Sequence, residues 1–323
     1  MQRIIIHLGA HRCGSTTIQR ALKSNRARLA ADGIAVFTRR ELVDDPLLER
    51  LLRLHRRPLE ACPVAFALCR MPERTVVLSD ENILGLMPGI DGSAPYHRSG
   101  RALTGIGLLA RLFDCSLRWV VRRQDRFIES AYAFRVLRGA TDDLEGFSKR
   151  FGGQLHWSPI AQVIARRQSD SRIALFEGLL PGSNAKRILE FLGLPTEKLQ
   201  DSKLGTSNAR AAWTQGALLN VVLSINRKHP ELSRSERMAL ASAFRQFGRE
   251  LPMSGDLQNA IFGSGVEIPA DSIRAAHHFA ATAPLPEFGA EARRALLEHY
   301  REDHLALEAL SCVDSYGANW REP

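Results

Sequence analysis

A chain of 323 residues is long enough for one large domain or two ordinary ones and can bury a sizeable core. Its composition, 45% hydrophobic and 24% charged, is typical of a soluble globular protein, and it contains no apolar run of the ~18 residues that predict a membrane span. Lys and Arg outnumber Asp and Glu by 44 to 35, which gives a formal net charge of +9 and favours an anionic ligand, an acidic acceptor or nucleic acid.

The cysteines and the amino-terminal segment predict a cytoplasmic protein. The apolar run after Met1 extends for only a few residues, which is too short for a signal peptide. The five cysteines are scattered and form no CxxC or zinc-ligand spacing, so we expect reduced thiols. They are Cys13, Cys62, Cys69, Cys115 and Cys312.

The chain opens with a predicted strand, loop and helix. The β-branched run over residues 3–9 ends in glycine and is typical of a buried strand. Apolar residues at helical spacing then predict a helix over 16–32, which Gly33 would end. This order is the start of an α/β unit.

Strands and helices continue to alternate through the first two thirds of the chain. Further strands are predicted at 34–37, 75–83, 117–121 and 172–178. Helices are predicted near 41–57, 100–112, 125–138, 158–168 and 184–192. The alternation indicates a three-layer α/β fold, with a central parallel sheet covered by helices on both faces.

Beyond about residue 205 the apolar spacing is helical and no strand stands out. We expect an α/β core over residues 1–200 and a helical region over 201–323 that packs on this core. The stretch 88–100 is rich in Gly, Pro and Ser, and it predicts a loop with the character of a mobile lid.

The first strand-to-helix loop, "HLGAHRCGSTT" (7–17), is suited to a phosphate compound. Such a loop presents unpaired backbone N–H groups at the positive end of the helix dipole. Gly14 allows close approach, Arg12 adds a permanent cation, and hydroxyl groups follow at Ser15, Thr16 and Thr17. The Walker A pattern is not met, because Ser15 stands where the lysine would be. Metal-dependent ATP or GTP chemistry is therefore disfavoured.

A second cluster follows the predicted strand 117–121. Arg122 stands at the end of this strand, and Ser130 comes eight residues later on the next predicted helix. Ligands of open α/β sheets bind above the carboxyl ends of the strands. The two clusters together predict a site for two separated phosphate groups.

These motifs resemble the sulfotransferases that use 3′-phosphoadenosine 5′-phosphosulfate (PAPS). "RCGST" (12–16) matches their loop (K/R)xG(S/T)T, and "HLGAHRCGSTTIQ" resembles a bacterial branch with H-x-G-x-H-K-T-G-T-T-x-x-Q. "RRQDRFIESAY" (122–132) resembles their second motif, and weaker matches lie in "LSDENIL" (78–84) and "FLGLP" (191–195). Arg12 and Cys13 depart from the Lys and Thr that are usual in that branch.

The resemblance implies a P-loop-type three-layer fold, PAPS as co-substrate and no metal. It assigns Arg122 and Ser130 to the 3′-phosphate. It assigns the first loop to the 5′-phosphosulfate, through Arg12, Cys13, Gly14, Ser15, Thr16 and Thr17.

Two catalytic roles are predicted for sulfuryl transfer. Arg12 and the backbone of the first loop would stabilise the charge that grows on the leaving group. Glu81, at the predicted end of a strand, is the first choice for the general base, although capping a helix or forming an ion pair would explain it equally well. Glu41, His11 and His7 are the alternatives.

The acceptor is not readable from the sequence. We expect a small molecule or a carbohydrate and not nucleic acid, because no recognisable basic motif with interleaved aromatic residues is present. "RLLRLHRRP" (50–58) is basic, which suits either an anionic acceptor or a solvated helix face. Two other functions stay open: a magnesium-dependent nucleotide phosphotransferase with an irregular P-loop, and a non-catalytic anion-binding descendant.

Overall fold

The structure is a computed structural model that describes most of the chain. The described residues are 1–87, 94–151, 153–167, 170–179, 184–197, 214–247, 268–284, 286–310 and 313–314. Part of the predicted lid, residues 88–93, and the thiol of Cys312 lie outside them.

Six parallel strands form one sheet in the order β2-β3-β1-β4-β5-β6. Their bounds are β1 (Arg3–His7), β2 (Ile34–Thr38), β3 (Thr75–Ser79), β4 (Asp114–Val121), β5 (Arg172–Leu175) and β6 (Val313–Asp314). The central strand β1 is buried from Ile4 to His7 and pairs with β3 on one side and β4 on the other. The predicted α/β fold with a central parallel sheet is confirmed.

Fifteen helices lie in the described part of the chain. They are α1 (Ser15–Ser24), α2 (Arg26–Ala31), α3 (Arg39–Asp44), α4 (Ala61–Cys69), α5 (Ser99–Leu109), α6 (Gln124–Val136), α7 (Leu144–Phe151), α8 (Ser158–Arg167), α9 (Phe176–Leu179), α10 (Ala185–Leu192), α11 (Thr214–Lys228), α12 (Arg234–Phe247), α13 (Ala270–Thr282), α14 (Ala290–His299) and α15 (Arg301–Glu308). Two short 3₁₀ helices, Leu48–Arg53 and Pro58–Glu60, follow α3. Of the helices described, none combines the length and the apolar character that a membrane span needs.

Several predicted boundaries are wrong for local reasons. The predicted helix 41–57 is interrupted at Pro46, where the Asp45 carboxylate accepts hydrogen bonds from the backbone N–H groups of Leu47 and Leu48 at 2.8 and 3.0 Å. The strand predicted to residue 83 ends at Ser79, because the Asp80 carboxylate accepts from the Asn82 N–H at 2.6 Å and closes a turn.

Other elements differ in kind from their predictions. The strand predicted over 172–178 ends at Leu175, and α9 follows it directly. The helix predicted over 16–32 is divided at Asn25, whose side chain donates to the Ala21 carbonyl at 2.8 Å. Helices α4 and α7 were missed, as was β6, which is only two residues long.

The contacts divide the chain into two compact units whose boundaries differ from the expected break at residue 200. The first unit contains residues 1–127, 151–207 and 294–323, and the second contains 128–150 and 208–293. The described residues from 294 onward thus belong to the unit that contains the sheet, so the helical region expected over 201–323 is shared between the two units.

Asp303 shows how the carboxyl-terminal helices join the first unit. Its carboxylate on α15 accepts from the backbone N–H groups of Trp157 and Ser158, at 2.9 and 2.8 Å, where α8 begins. It also accepts from the Gln124 amide at 2.8 Å, and that amide's oxygen is 2.6 Å from the His304 ring. Asp303, on α15, therefore caps α8 although it lies 145 residues beyond Ser158 in the chain.

Candidate functional site

The first loop is held against the sheet before it turns into α1. After β1, the N–H groups of Leu8 and Ala10 donate to the carbonyls of Arg118 and Val120 on β4, at 2.9 and 3.0 Å. Gly14 then takes a left-handed conformation, with φ at 80°, and α1 begins at the next residue. The N–H groups of Ser15 and Thr16 have no backbone partner within the described ranges, whereas that of Thr17 donates to the Gly14 carbonyl at 2.9 Å. The two unpaired groups lie at the carboxyl end of the sheet, where the loop enters α1.

Arg12 lies in this turn in a left-handed conformation, with φ at 64°, which is uncommon for a residue other than glycine. Its carbonyl accepts a hydrogen bond from the Arg122 guanidinium at 3.4 Å, which links the first loop to Arg122 of the second cluster. Burial is the main cause that lowers the pKa of His11 and raises that of Glu81, and the charge of Arg12 adds a smaller lowering contribution to both. Arg12 is thus electrostatically coupled to two of the predicted candidates for the general base.

Ser15 is the most informative residue of the loop. Its side chain is only 8% exposed, and among the described residues its Oγ has no hydrogen-bond partner. Nε2 of the fully buried His7 is also unpartnered there. A Cβ added at Gly9 would lie 2.5 Å from the Ser15 Oγ and 3.3 Å from the His7 Nε2, so Gly9 separates these two unpaired polar atoms. Because a buried polar group without a partner is costly, this place is suited to a polar ligand.

Gly9 offers a direct test of this crowding. With φ at +26° and the Ser15 Oγ so close, Gly9→Ala should lower the free energy of unfolding by roughly 3 kcal/mol. Gly33→Ala is the control, because Gly33 has φ at +73° but no atom within 4 Å of an added Cβ. It should lose only about 1 kcal/mol in denaturant unfolding. Equal losses for the two variants would contradict the crowded geometry.

The other loop residues differ in what they can offer to a ligand. Thr16 is exposed, whereas Gly14 and Thr17 are half-buried. Cys13 is fully buried, its thiol donates to the His11 carbonyl with Sγ 3.4 Å from the oxygen, and its N–H donates to Ala10. Burial raises the pKa of this thiol. The thiol and the N–H of Cys13 are thus both engaged within the loop. Cys13 has no other donor for the phosphate contact that was predicted for it.

His11 is part of a closed hydrogen-bond network. Its backbone N–H donates to the Tyr96 hydroxyl at 2.9 Å, and its ring nitrogens lie 3.0 Å from that hydroxyl and 3.3 Å from the Asn82 Oδ1. Burial lowers the pKa of His11 to about 4, and burial likewise lowers the pKa of His7 to about 4. Both rings are therefore neutral near pH 7, and His7 donates to or accepts from the Ser79 hydroxyl at 2.8 Å.

Glu81 lies at the carboxyl edge of the sheet, in the turn that follows β3. It is half-buried, and its Oε2 is 3.5 Å from the side-chain amide of Gln19 on α1. Burial raises the pKa of Glu81, and the neighbouring Asp80 raises it further. Asp80 itself is fully buried and is bound by Arg39 at 3.0 Å and by the Asn82 amide at 2.7 Å. Glu81 thus has the raised pKa that suits a general base, beside the first loop.

Glu41 has a structural role instead. Its carboxylate accepts from both the N–H and the hydroxyl of Thr38, at 3.0 and 2.6 Å, and so forms the capping box of α3. It also pairs with Arg26 at 2.7 Å. Burial alone would raise its pKa, but the hydrogen bonds from Thr38 and Arg26 lower the pKa to about 2. A carboxylate held in this way is a poor proton acceptor.

This assignment predicts a specific pH dependence of stability. Because the folded-state pKa of Glu41 lies below its ordinary value of 4.5, the wild type gains stability from it above pH 4.5 and loses it as the pH falls toward 2. Glu41→Gln should lower the free energy of unfolding by about 1 kcal/mol at pH 7. The difference should shrink through that pH range in denaturant titrations. Asp44→Asn, on the same helix but 69% exposed, should show no comparable pH dependence.

The structure also places Arg122 among partners that the sequence did not predict. Its guanidinium pairs with Glu177 on α9 at 3.0 Å and lies over the Phe176 ring at 4.4 Å. Burial raises the pKa of Glu177, although the charge of Arg122 opposes this shift. Residue 177 was placed in a strand by the sequence pattern, so no signal pointed to this pair. Ser130 is buried on α6, in the second unit.

Comparisons with models of known protein families, with curated proteins and with solved structures find no match for this chain. The features of this chain that point to a function are therefore the geometry of the first loop and its motifs.

Proposed function

We propose that this protein is a PAPS-dependent sulfotransferase in which the loop between β1 and α1 holds the 5′-phosphosulfate. The observation that supports it best is the unpaired Ser15 Oγ, buried at the first residue of a ten-residue helix and next to the crowded Gly9. An anion at this place would accept from the hydroxyl and from the free N–H groups of the helix. The buried atoms of the loop thus fit a phosphate-like group.

The loop suits sulfuryl transfer because that reaction builds negative charge on the bridging oxygen of the leaving group. When bound, PAPS supplies the sulfuryl group. Arg12 stands beside the helix N-terminus and carries a charge that does not depend on pH. Because negative charge on the bridging oxygen increases during the reaction, a cation beside that oxygen would stabilise the transition state more than the ground state. Arg12 and the first N–H groups of α1 are our assignment for this role.

Glu81 is our assignment for the general base. Its raised pKa makes it a better proton acceptor than the strongly bound Glu41, and its half-exposed carboxylate is accessible to an acceptor hydroxyl. His7 and His11 are poorer bases, because burial lowers the pKa of each to about 4 and because both ring nitrogens of His11 are already occupied. Glu81→Gln should therefore abolish proton removal while leaving nucleotide binding intact.

Arg122 and Ser130 remain the proposed 3′-phosphate residues. The guanidinium of Arg122 is engaged with Glu177, so a bound phosphate would share or replace this partner. The acceptor is proposed to be a small molecule or a carbohydrate and not nucleic acid. The same proposal includes a cytoplasmic location, which is consistent with the reduced cysteines expected from the sequence.

A magnesium-dependent phosphotransferase is the second candidate function, because the Asp80 carboxylate lies where a magnesium ligand could be. This buried carboxylate follows β3 directly, next to the strand that leads into the loop, where a magnesium ligand would be useful. Arg39 and Asn82 occupy its oxygens, which disfavours that use. If ATP binds only with magnesium and a 3′-phosphate gives no advantage, the second candidate is preferred.

The proposal predicts that 3′,5′-adenosine bisphosphate binds without magnesium and more tightly than 5′-AMP. Because each phosphate contact with arginine is charge-assisted, Arg122→Ala should weaken binding by about tenfold or more. Ser130→Ala should weaken it by about fivefold. Isothermal titration calorimetry in EDTA measures both effects, with Arg111→Ala, an exposed arginine after α5, as the control. No binding of the bisphosphate would contradict the proposal, whereas binding without any turnover would favour a non-catalytic descendant.

A further inference from the structure

A cavity of about 600 Å³ lies in the first unit, apart from the first loop. One of its lining residues is Asn82, which follows Glu81 in the chain. The volume of the cavity is in the range of about 300–1,000 Å³ that holds small ligands. The lining comes from α3, from the two 3₁₀ helices and the segment that joins them, and from the residues that follow β3. It consists of Arg39, Val43, Glu49, Leu52, Arg53, His55, Arg56, Arg57, Glu60, Asn82 and Leu86.

The charges of this lining do not cancel. Each of the two glutamates is bound by an arginine: Glu49 pairs with Arg53 at 2.7 Å, and Glu60 pairs with Arg50 at 3.2 Å. Arg39 is bound by Asp80. Arg56 and Arg57 are exposed, and no carboxylate of the described residues forms an ion pair with either. The cavity therefore presents two arginines whose charge is not neutralised.

His55 adds a buried polar group to the same wall. It is 6% exposed, and among the residues that the structure describes neither ring nitrogen makes a hydrogen bond of good geometry, although the Leu52 backbone lies near the ring. It borders both this cavity and a smaller one of about 60 Å³ that Tyr96 and Arg98 also line. A buried imidazole without a hydrogen bond of good geometry, beside two uncompensated arginines, is suited to a polar, negatively charged ligand.

We infer that this cavity binds the acceptor, and that the acceptor carries a carboxylate or sulfate group. Arg56 and Arg57 hold the anion, and His55 donates to it or to a neighbouring hydroxyl. Asn82, which follows Glu81 in the chain, connects the cavity with the proposed base. The role as acceptor site rests on the proposed sulfotransferase function, but the binding of an anion here does not.

The test uses three disaccharides of similar size: cellobiouronic acid with a carboxylate, lactose 3′-sulfate with a sulfate ester, and neutral lactose. Ligand-observed NMR gives their dissociation constants for the full chain. At least one anionic disaccharide should bind about tenfold more tightly than lactose, since its anion forms charge-assisted hydrogen bonds that lactose lacks. The anion that binds more tightly identifies the source of the charge.

The double variant Arg56→Gln/Arg57→Gln should weaken binding of the preferred anion by about tenfold. The double variant Arg74→Gln/Arg111→Gln is the matched control, because it removes two exposed arginines that precede β3 and β4, at the opposite edge of the sheet. It should change binding by less than about twofold. Both variants should still bind the adenosine bisphosphate, so failure of the acceptor site and failure of the nucleotide site are distinguishable.

Three results would overturn the inference. They are equal affinity for lactose and both anions, equal loss of binding in the two double variants, and no measurable binding of either anion.

Discussion

Arg12→Ala should lower the turnover of PAPS by about 100- to 1,000-fold and leave the melting temperature nearly unchanged. The large effect is expected because Arg12 is proposed to stabilise negative charge that develops only in the transition state. Loss of such an interaction lowers kcat more than it raises KM. Folding should not suffer, because alanine removes a half-buried side chain from a turn and not from the core. Release of adenosine bisphosphate, measured with a panel of hydroxyl acceptors, reports the turnover.

Two further variants separate a catalytic role from a structural one. Arg12→Lys keeps a positive charge and should recover much of the lost turnover, while Arg20→Ala removes an exposed arginine of α1 and should leave kcat unchanged. If Arg12→Ala raises KM but leaves kcat intact, Arg12 contributes only to binding, and the assignment is wrong.

Asp303→Asn should lower the free energy of unfolding by about 3 kcal/mol. The Asp303 carboxylate accepts hydrogen bonds from two backbone N–H groups and from the Gln124 amide. Asparagine keeps only one acceptor oxygen, and its NH₂ group would face donors with which it cannot form a hydrogen bond. The site is buried, so water cannot replace the lost partners. The first unit should be affected most, because α8 loses its cap from α15.

Denaturant unfolding measures this loss, and Asp114→Asn at an exposed position serves as the control for the change in charge. The control should stay within about 0.5 kcal/mol of the wild type. A similarly small effect for Asp303→Asn would show that α15 does not hold the start of α8. Hydrogen exchange should also become faster in residues 158–167 of the Asp303 variant.

The sequence allowed the sheet and the first loop to be predicted because both depend on local patterns. The β-branched run before His7 and the glycine at position 14 are sufficient for a buried strand and a sharp turn into a helix. The parallel arrangement followed from the helices predicted between the strands, because parallel strands need crossover connections. The order of the strands in the sheet was not predicted. The carboxyl edge of this sheet brings Glu81 close to Gln19 on α1.

The partners of the site residues could not be predicted, because they are distant in sequence. The Asp303 cap on α8 and the Glu177 partner of Arg122 come from 145 and 55 positions away. The capping box of Glu41 is local and follows the known pattern of Thr followed three residues later by Glu. That signal was present in the sequence, and it would have argued against Glu41 and in favour of Glu81 as the general base. The free hydroxyl of Ser15 had no such signal, since it depends on how closely Gly9 approaches.

The central claim is that the loop between β1 and α1 holds the 5′-phosphate end of the nucleotide. A crystal structure with saturating 3′,5′-adenosine bisphosphate tests it most directly. The account predicts the 5′-phosphate at the N-terminus of α1, hydrogen-bonded to the Ser15 Oγ and close to Arg12, with the 3′-phosphate at Arg122. A bisphosphate bound elsewhere, with the Ser15 hydroxyl still unpaired, would contradict it.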